Sequence, residues 1–187
     1  MAKIHAGATL TPGFREFLPH WMAHQRWYRG DAVPTLRPIG FYRFEDPAGE
    51  VGMEAHLVTD GTNLYHVPLT YRGAPLPDVG AESLLATPEH SVLGTRWIYD
   101  AAADPTWHAQ VLDLVRTGGV SEPAGRSGVG PAEARGVLDG PLGSRIEVVR
   151  VLTPDTPPAG FGVVVGTWHP DGPDGDPVTG CLAVVKI

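Results

Sequence analysis

The chain has 187 residues, 42 % of them hydrophobic, with a formal net charge of −7 and one cysteine. That length suits one domain with at most a small appended unit. The negative balance excludes the clustered basic face that a nucleic-acid binder needs, and a lone Cys181 excludes a disulfide framework. No apolar run is long enough for a transmembrane helix. Met1-Ala2-Lys3-Ile4-His5 lacks the apolar core of a signal peptide, so a cytoplasmic location away from membranes is expected.

In chain order, Thr11-Pro12 predicts a helix start, Thr as N-cap and Pro at the first helical position. Phe14, Phe17, Leu18, Trp21 and Met22 follow at helical spacing as one apolar stripe, and the helix is expected to end near Trp27. A strand is predicted over residues 36–44. Val51, Met53, Ala55 and Leu57 alternate with Glu54 and His56, the pattern of a half-buried strand. Asp60-Gly61 signals a hairpin. The return strand places Tyr65, Val67, Leu69 and Tyr71 on one face and His66 and Thr70 on the other. Pro68 cannot donate to a ladder, which predicts an edge strand or a bulge. Residues 76–88 read as a loop with one helical turn, and residues 91–99 as extended. Asp104-Pro105 opens a second helix with a Trp107, Val111, Leu114, Val115 stripe, closed by Gly118-Gly119.

Residues 118–131 hold five Gly, two Pro and two Ser and read as a linker. Four short strand candidates follow, near residues 134–138, 145–152, 162–168 and 182–187, with Gly, Pro and Asp between them. The expected class is α+β. Residues 1–117 form an antiparallel sheet with two helices, and residues 132–187 a small antiparallel β-meander packed on it, because four strands alone make a thin core.

Two aromatic and basic segments stand out: Gln25-Arg26-Trp27-Tyr28, and Arg96-Trp97-Ile98-Tyr99-Asp100 with Asp104-Pro105 behind it. Arg26, Trp27, Tyr28 and Arg96 have the chemistry of a sugar or anion site, an aromatic plane for a pyranose face and guanidinium forks for hydroxyls or phosphate. The same residues also serve a structural reading, in which Trp21 and Trp27 pack the helix on the sheet and Arg26 and Arg96 turn inward to carbonyls or to Asp100 and Asp104. Residues 65–72, through Tyr65, Val67, Tyr71 and Arg72, are the candidate edge for a docking partner.

Together with Trp21 and Tyr65-His66-Val67-Pro68-Leu69-Thr70-Tyr71-Arg72, these segments resemble the N-terminal cap of the actinobacterial maltokinases, over roughly residues 10–117. The chain is also similar to short actinobacterial proteins that carry the cap without the kinase. Maltokinases make maltose 1-phosphate from ATP and maltose. The resemblance therefore implies an α+β cap subdomain and a link to sugar-phosphate or α-glucan/trehalose metabolism. Where maltokinases usually place Lys after the Arg-Trp-aromatic motif, this chain has Arg29-Gly30-Asp31, so no role of that lysine carries over.

Kinase chemistry is not expected. Lys186 in Cys181-Leu182-Ala183-Val184-Val185-Lys186-Ile187 resembles the strand lysine of a kinase, and Gly160, Gly162 and Gly166 loosely resemble a phosphate loop. No His-Arg-Asp catalytic loop or Asp-Phe-Gly metal site follows, however. His20 and His24 share a helix face without a third metal ligand. Asp171, Asp174 and Asp176 lack the Gly and Glu positions of a calcium loop, and Ser127 lies in the linker rather than in a nucleophile elbow. Neither a catalytic residue nor a cofactor or metal is assigned. The reading is a non-catalytic, cap-like binding or regulatory module whose partner is a carbohydrate-pathway enzyme. The rival is a stand-alone sugar or anion binder, or an enzyme of unrecognised chemistry. The oligomeric state stays open.

Overall fold

The computed structural model describes residues 7–124, 128–155 and 157–187. The signal-peptide reading of residues 1–5 and Ser127 in the linker thus lie outside the described residues. β1 (Leu10–Thr11) precedes α1 (Phe14–Ala23), then β2 (Arg37–Phe44), β3 (Gly52–Thr59) and β4 (Leu64–Arg72). The 3₁₀ turn Ala81–Ser83 leads into β5 (Leu84–Ala86), β6 (Glu89–His90), β7 (Gly94–Thr95) and β8 (Trp97–Asp100). A second 3₁₀ turn, Ala101–Ala103, leads to α2 (Pro105–Thr117). There follow β9 (Glu122–Ala124), β10 (Ala132–Leu138), β11 (Arg145–Val148), β12 (Val151–Leu152), β13 (Gly162–Trp168) and β14 (Val178–Lys186). The main sheet runs β5-β8-β4-β3-β2-β9, with β12 added beside β4. A second sheet runs β10-β13-β14-β11, and β1, β6 and β7 form a small third one. The architecture is α+β, built on antiparallel sheets with two helices.

The first helix starts later than Thr11-Pro12 suggests. Thr11 belongs to β1, and the peptide bond to Pro12 is cis. The helix begins after Gly13, whose N–H donates to the Glu16 carboxylate at 2.8 Å. The apolar stripe nonetheless packs as its spacing requires. Phe17, Leu18, Trp21 and Met22 are buried against Val58, Tyr65, Val67, Leu69 and Ile98 on one face of the main sheet. The helix ends at Ala23, so residues 25–28 form a turn rather than a last helical turn. In α2 the expected signals all act: Asp104 caps it, Pro105 sits in the first turn, and Gly118 closes it at φ 65°, in the left-handed region open to glycine.

The opposite face of the main sheet is also covered. Tyr42, Met53, Ala55 and Leu57 share one continuous core with Trp107, Val111, Leu114 and Val115 of α2 and with Ala132, Ala134, Val164, Trp168, Leu182 and Val185 of the second sheet. Gly136 permits this approach: a Cβ there would lie 2.0 Å from the Leu114 carbonyl oxygen. Alternation suggested a solvent-facing side for His56, His66 and Thr70. Both faces are packed, so these three residues are buried.

Two details of the second half depart from the sequence reading. β10 lies beside β13, and β11 on the far edge beside β14, so the strands do not follow the sequential order of a meander. Residues 118–131 are not simply a spacer. β9 pairs with β2, Val120 bridges to Arg135, and buried Ser121 exchanges backbone and side-chain hydrogen bonds with Ala134.

Candidate functional site

The Gln25–Tyr28 turn is anchored by aromatic packing on the start of β4. The Trp27 ring lies 5.8 Å from Trp21 and 6.0 Å from Tyr65, and Tyr28 lies 5.6 Å from Tyr65. The Tyr28 hydroxyl donates to the Ala32 carbonyl at 3.0 Å. Tyr65, fully buried, donates to Asp60 at 3.0 Å. Arg26 does not turn inward: it is exposed and has no hydrogen-bond or carboxylate partner among the described residues.

Arg96 is half-buried and donates to the Leu93 carbonyl of its own domain. Its guanidinium sits beside Gly73, just past the end of β4. Trp27 and Tyr28 pack on Tyr65 near the other end of that strand. Eight positions separate Tyr65 from Gly73, on the order of 26 Å at about 3.3 Å per residue. Arg26, Trp27, Tyr28 and Arg96 therefore do not converge on one ligand.

The docking-edge expectation for β4 is corrected. β3 pairs with β4 along one side. On the other side β12 pairs at Leu64 and Tyr65, and β8 pairs from Leu69 to Arg72. Tyr65 and Val67 are fully buried, while Tyr71 and Arg72 are half-buried. Pro68 is tolerated because of a break in the ladder. The His66 N–H points outward to the Arg150 carbonyl at 2.9 Å. Two residues on, the Pro68 nitrogen faces the same side, where β12 has ended and β8 has not begun.

Three polar constellations escaped the sequence reading. The first is Arg72 with Asp104. The guanidinium grips both carboxylate oxygens at 2.7 Å each and also reaches Thr106 Oγ1 at 2.9 Å. Asp104 is fully buried and accepts the Thr106 N–H, so it caps α2 as well. Burial pushes its carboxyl up, but the hydrogen bonds from Arg72, Thr70 and the Thr106 N–H together with the Arg72 charge hold it below the usual carboxylate range.

The second is a buried tyrosine–histidine pair. The Tyr42 hydroxyl lies 2.6 Å from His66 Nε2, and His66 Nδ1 lies 3.3 Å from the Val149 carbonyl. A carbonyl can only accept, so Nδ1 carries the proton and Tyr42 donates to Nε2. Burial, reinforced by nearby Arg150, lowers the His66 pKa from 6.5 to about 3. Burial likewise raises Tyr42, so both groups are neutral. Because the unfolded chain takes up a proton on this histidine near pH 6.5 and the folded chain does not, stability is full above that pH and declines as pH falls toward about 3. Urea midpoints should therefore drop between pH 7 and about pH 5, above the range where carboxylates titrate, and His66→Gln should flatten that slope. An equal slope in the variant would contradict the assignment.

The third is Arg150, in the short segment between β11 and β12. Its Nη2 lies 2.8 and 2.6 Å from the two Asp100 oxygens, and its Cζ lies 5.3 Å from the centre of the Trp27 ring. Asp100 and Asp104, expected as partners of Arg96, are thus taken by Arg150 and Arg72. The available signal was a single cation inside Val148-Val149-Arg150-Val151-Leu152, since a charge on a strand running into the core demands a partner.

Lys186 pairs with Glu147, whose carboxyl it holds below its usual range. His20 and His24 are exposed, and no group of three or more His, Cys, Asp or Glu residues able to hold a metal occurs among the described residues. Cys181 is half-buried and donates weakly to the Ala183 carbonyl, and burial raises its thiol pKa. Among the described residues no helix is long and apolar enough to cross a membrane. An open cleft of about 210 Å³ lies between the C-terminal end of α2 and the β2–β9 edge, lined in part by Arg43, Glu45, Gln110, Asp113 and Glu122.

An antiparallel α+β unit, with one helix over the Tyr65 face and an Arg-Trp-Ile-Tyr-Asp strand beside β4, defines the class to which the first half of the chain conforms. Residues 21–104 match the family model of the maltokinase N-terminal cap domain. The resemblance read from the two motifs is thereby borne out over that stretch, which runs from Trp21 to the α2 cap, Asp104. No match is found among curated proteins.

Proposed function

We propose that this chain is a non-catalytic, cap-like binding or regulatory module linked to sugar-phosphate or α-glucan/trehalose metabolism, acting in the cytoplasm on a carbohydrate-pathway enzyme. The observation that carries this reading is the cap match over residues 21–104, which contains both motifs. It is supported by the way the groups best suited to chemistry are spent inside the fold. Arg72 and Arg150 are paired with buried or nearly buried carboxylates, and Tyr42 and His66 are sealed from solvent. Crosslinking of the tagged chain in its native cells, followed by mass spectrometry, tests the proposal. Recovery of an enzyme of maltose, α-glucan or trehalose phosphorylation is expected. Recovery of no carbohydrate-pathway protein by a folded bait counts against it.

The cleft beside α2 favours a second reading, a small-ligand binder, because charged and polar side chains, Arg43, Glu45, Gln110, Asp113 and Glu122, share its lining. Titration calorimetry with maltose and with inorganic phosphate separates the two. A saturable heat that Arg43→Ala abolishes would move the small-ligand reading to first place.

A further inference from the structure

We propose that Trp27 and Asp100, one from each cap motif, form a guanidinium socket: a binding site for an arginine side chain presented on an extended strand, occupied in this chain by Arg150. An aromatic face and a carboxylate are what a planar cation selects. Here they belong to the matched stretch, residues 21–104, whereas the arginine comes from beyond it. The carboxylate is set in advance. Asp100 Oδ1 accepts the Ala102 N–H at 3.1 Å, which fixes its orientation at the end of β8. The ring is also fixed, between Trp21 and Tyr65. Both sides of the ion pair are largely withdrawn from water, at 11 % and 14 % side-chain exposure.

The β4 ladder supplies the slot. β12 covers its outer side only at Leu64 and Tyr65, and β8 begins at Leu69. Pro68 has no N–H to offer in the interval, so the gap in the ladder leaves no backbone donor unpaired at that position. The incoming strand is held by its own backbone as well, through the Arg150 carbonyl and His66 N–H. Arg150 Nη1 is buried without a hydrogen-bond partner among the described residues. The guanidinium is therefore held by the carboxylate at one nitrogen and by the ring face, not by a full set of acceptors.

The socket is tested by emptying it in the full chain and refilling it in trans. Arg150→Ala is titrated with N-acetyl-arginine amide, and separately with N-acetyl-lysine amide, while Tm and the indole NMR signals are followed. The expected result is a saturable rise of several degrees in Tm with the arginine compound, together with a shift of the Trp27 indole signal. The response should be far smaller with the lysine compound, and absent in wild type and in the Arg150→Ala/Trp27→Ala double variant. Absence of any response in a folded Arg150→Ala protein overturns the proposal, as does an equal response to both compounds. Should the alanine variant fail to fold, Arg150→Lys decides the matter. A socket that selects guanidinium lowers the Tm of that variant, and a Tm equal to wild type refutes it.

Discussion

Asp104→Ala is expected to destabilise the protein by about 3–5 kcal/mol, the usual cost of breaking a buried pair and stranding its partner. Asp104 is fully buried, while the Arg72 side chain keeps 20 % exposure. Part of the stranded guanidinium can therefore rehydrate, which places the loss toward the lower end. Removing the α2 cap adds about 1 kcal/mol. Asp104→Asn keeps an acceptor for the Thr106 N–H and should cost less, which separates the cap from the ion pair. Urea unfolding at neutral pH measures both. An alanine variant within about 0.5 kcal/mol of wild type, the range of ordinary surface changes, would mean that the Arg72–Asp104 contact does not hold α2 to the sheet.

Trp168→Ala should cost a similar about 3–5 kcal/mol, the range for truncating a buried tryptophan. Trp168 is 1 % exposed and packs over Gly180 within the second sheet. Its core is continuous with Tyr42, Met53 and Leu57 of the main sheet. The loss should therefore appear as one cooperative transition that takes the cap down with the second sheet. Two separate transitions, with the cap melting as in wild type, would show that the shared core does not couple the halves.

Much of this fold was legible in the sequence because its signals were local. The Asp104-Pro105 start and Gly118 stop of α2, the stripe of α1, and the alternation of β3 each depend on residues close in the chain, and each appears in the structure. The first helix starts later because Thr11 belongs to β1, leaving Gly13 and Glu16 to form the cap. Errors of a second kind came from long-range pairing. Pro68 suggested an edge, but which strands flank β4 depends on residues 97–100 and 151–152, which periodicity within residues 64–72 does not report. The candidate site failed for the same reason. Arg26 and Arg96 stand out beside tryptophans, yet the arginines that meet Asp104 and Asp100 are Arg72 and Arg150, brought there by the sheet register and by a segment 50 residues beyond Asp100. His56 and His66 looked solvent-facing because alternation reports one buried face, and here α1 covers His56 through Phe14 while α2 and the second sheet cover the side of His66.

The two cap motifs are joined inside the fold through Arg150, which meets Asp100 and the Trp27 ring. A double-mutant cycle of Arg150→Ala and Asp100→Ala, measured by urea unfolding of the full chain, tests it most directly. The account predicts a coupling of about 1–3 kcal/mol, as for neighbours in one buried network. Strict additivity, within about 0.3 kcal/mol, would contradict it.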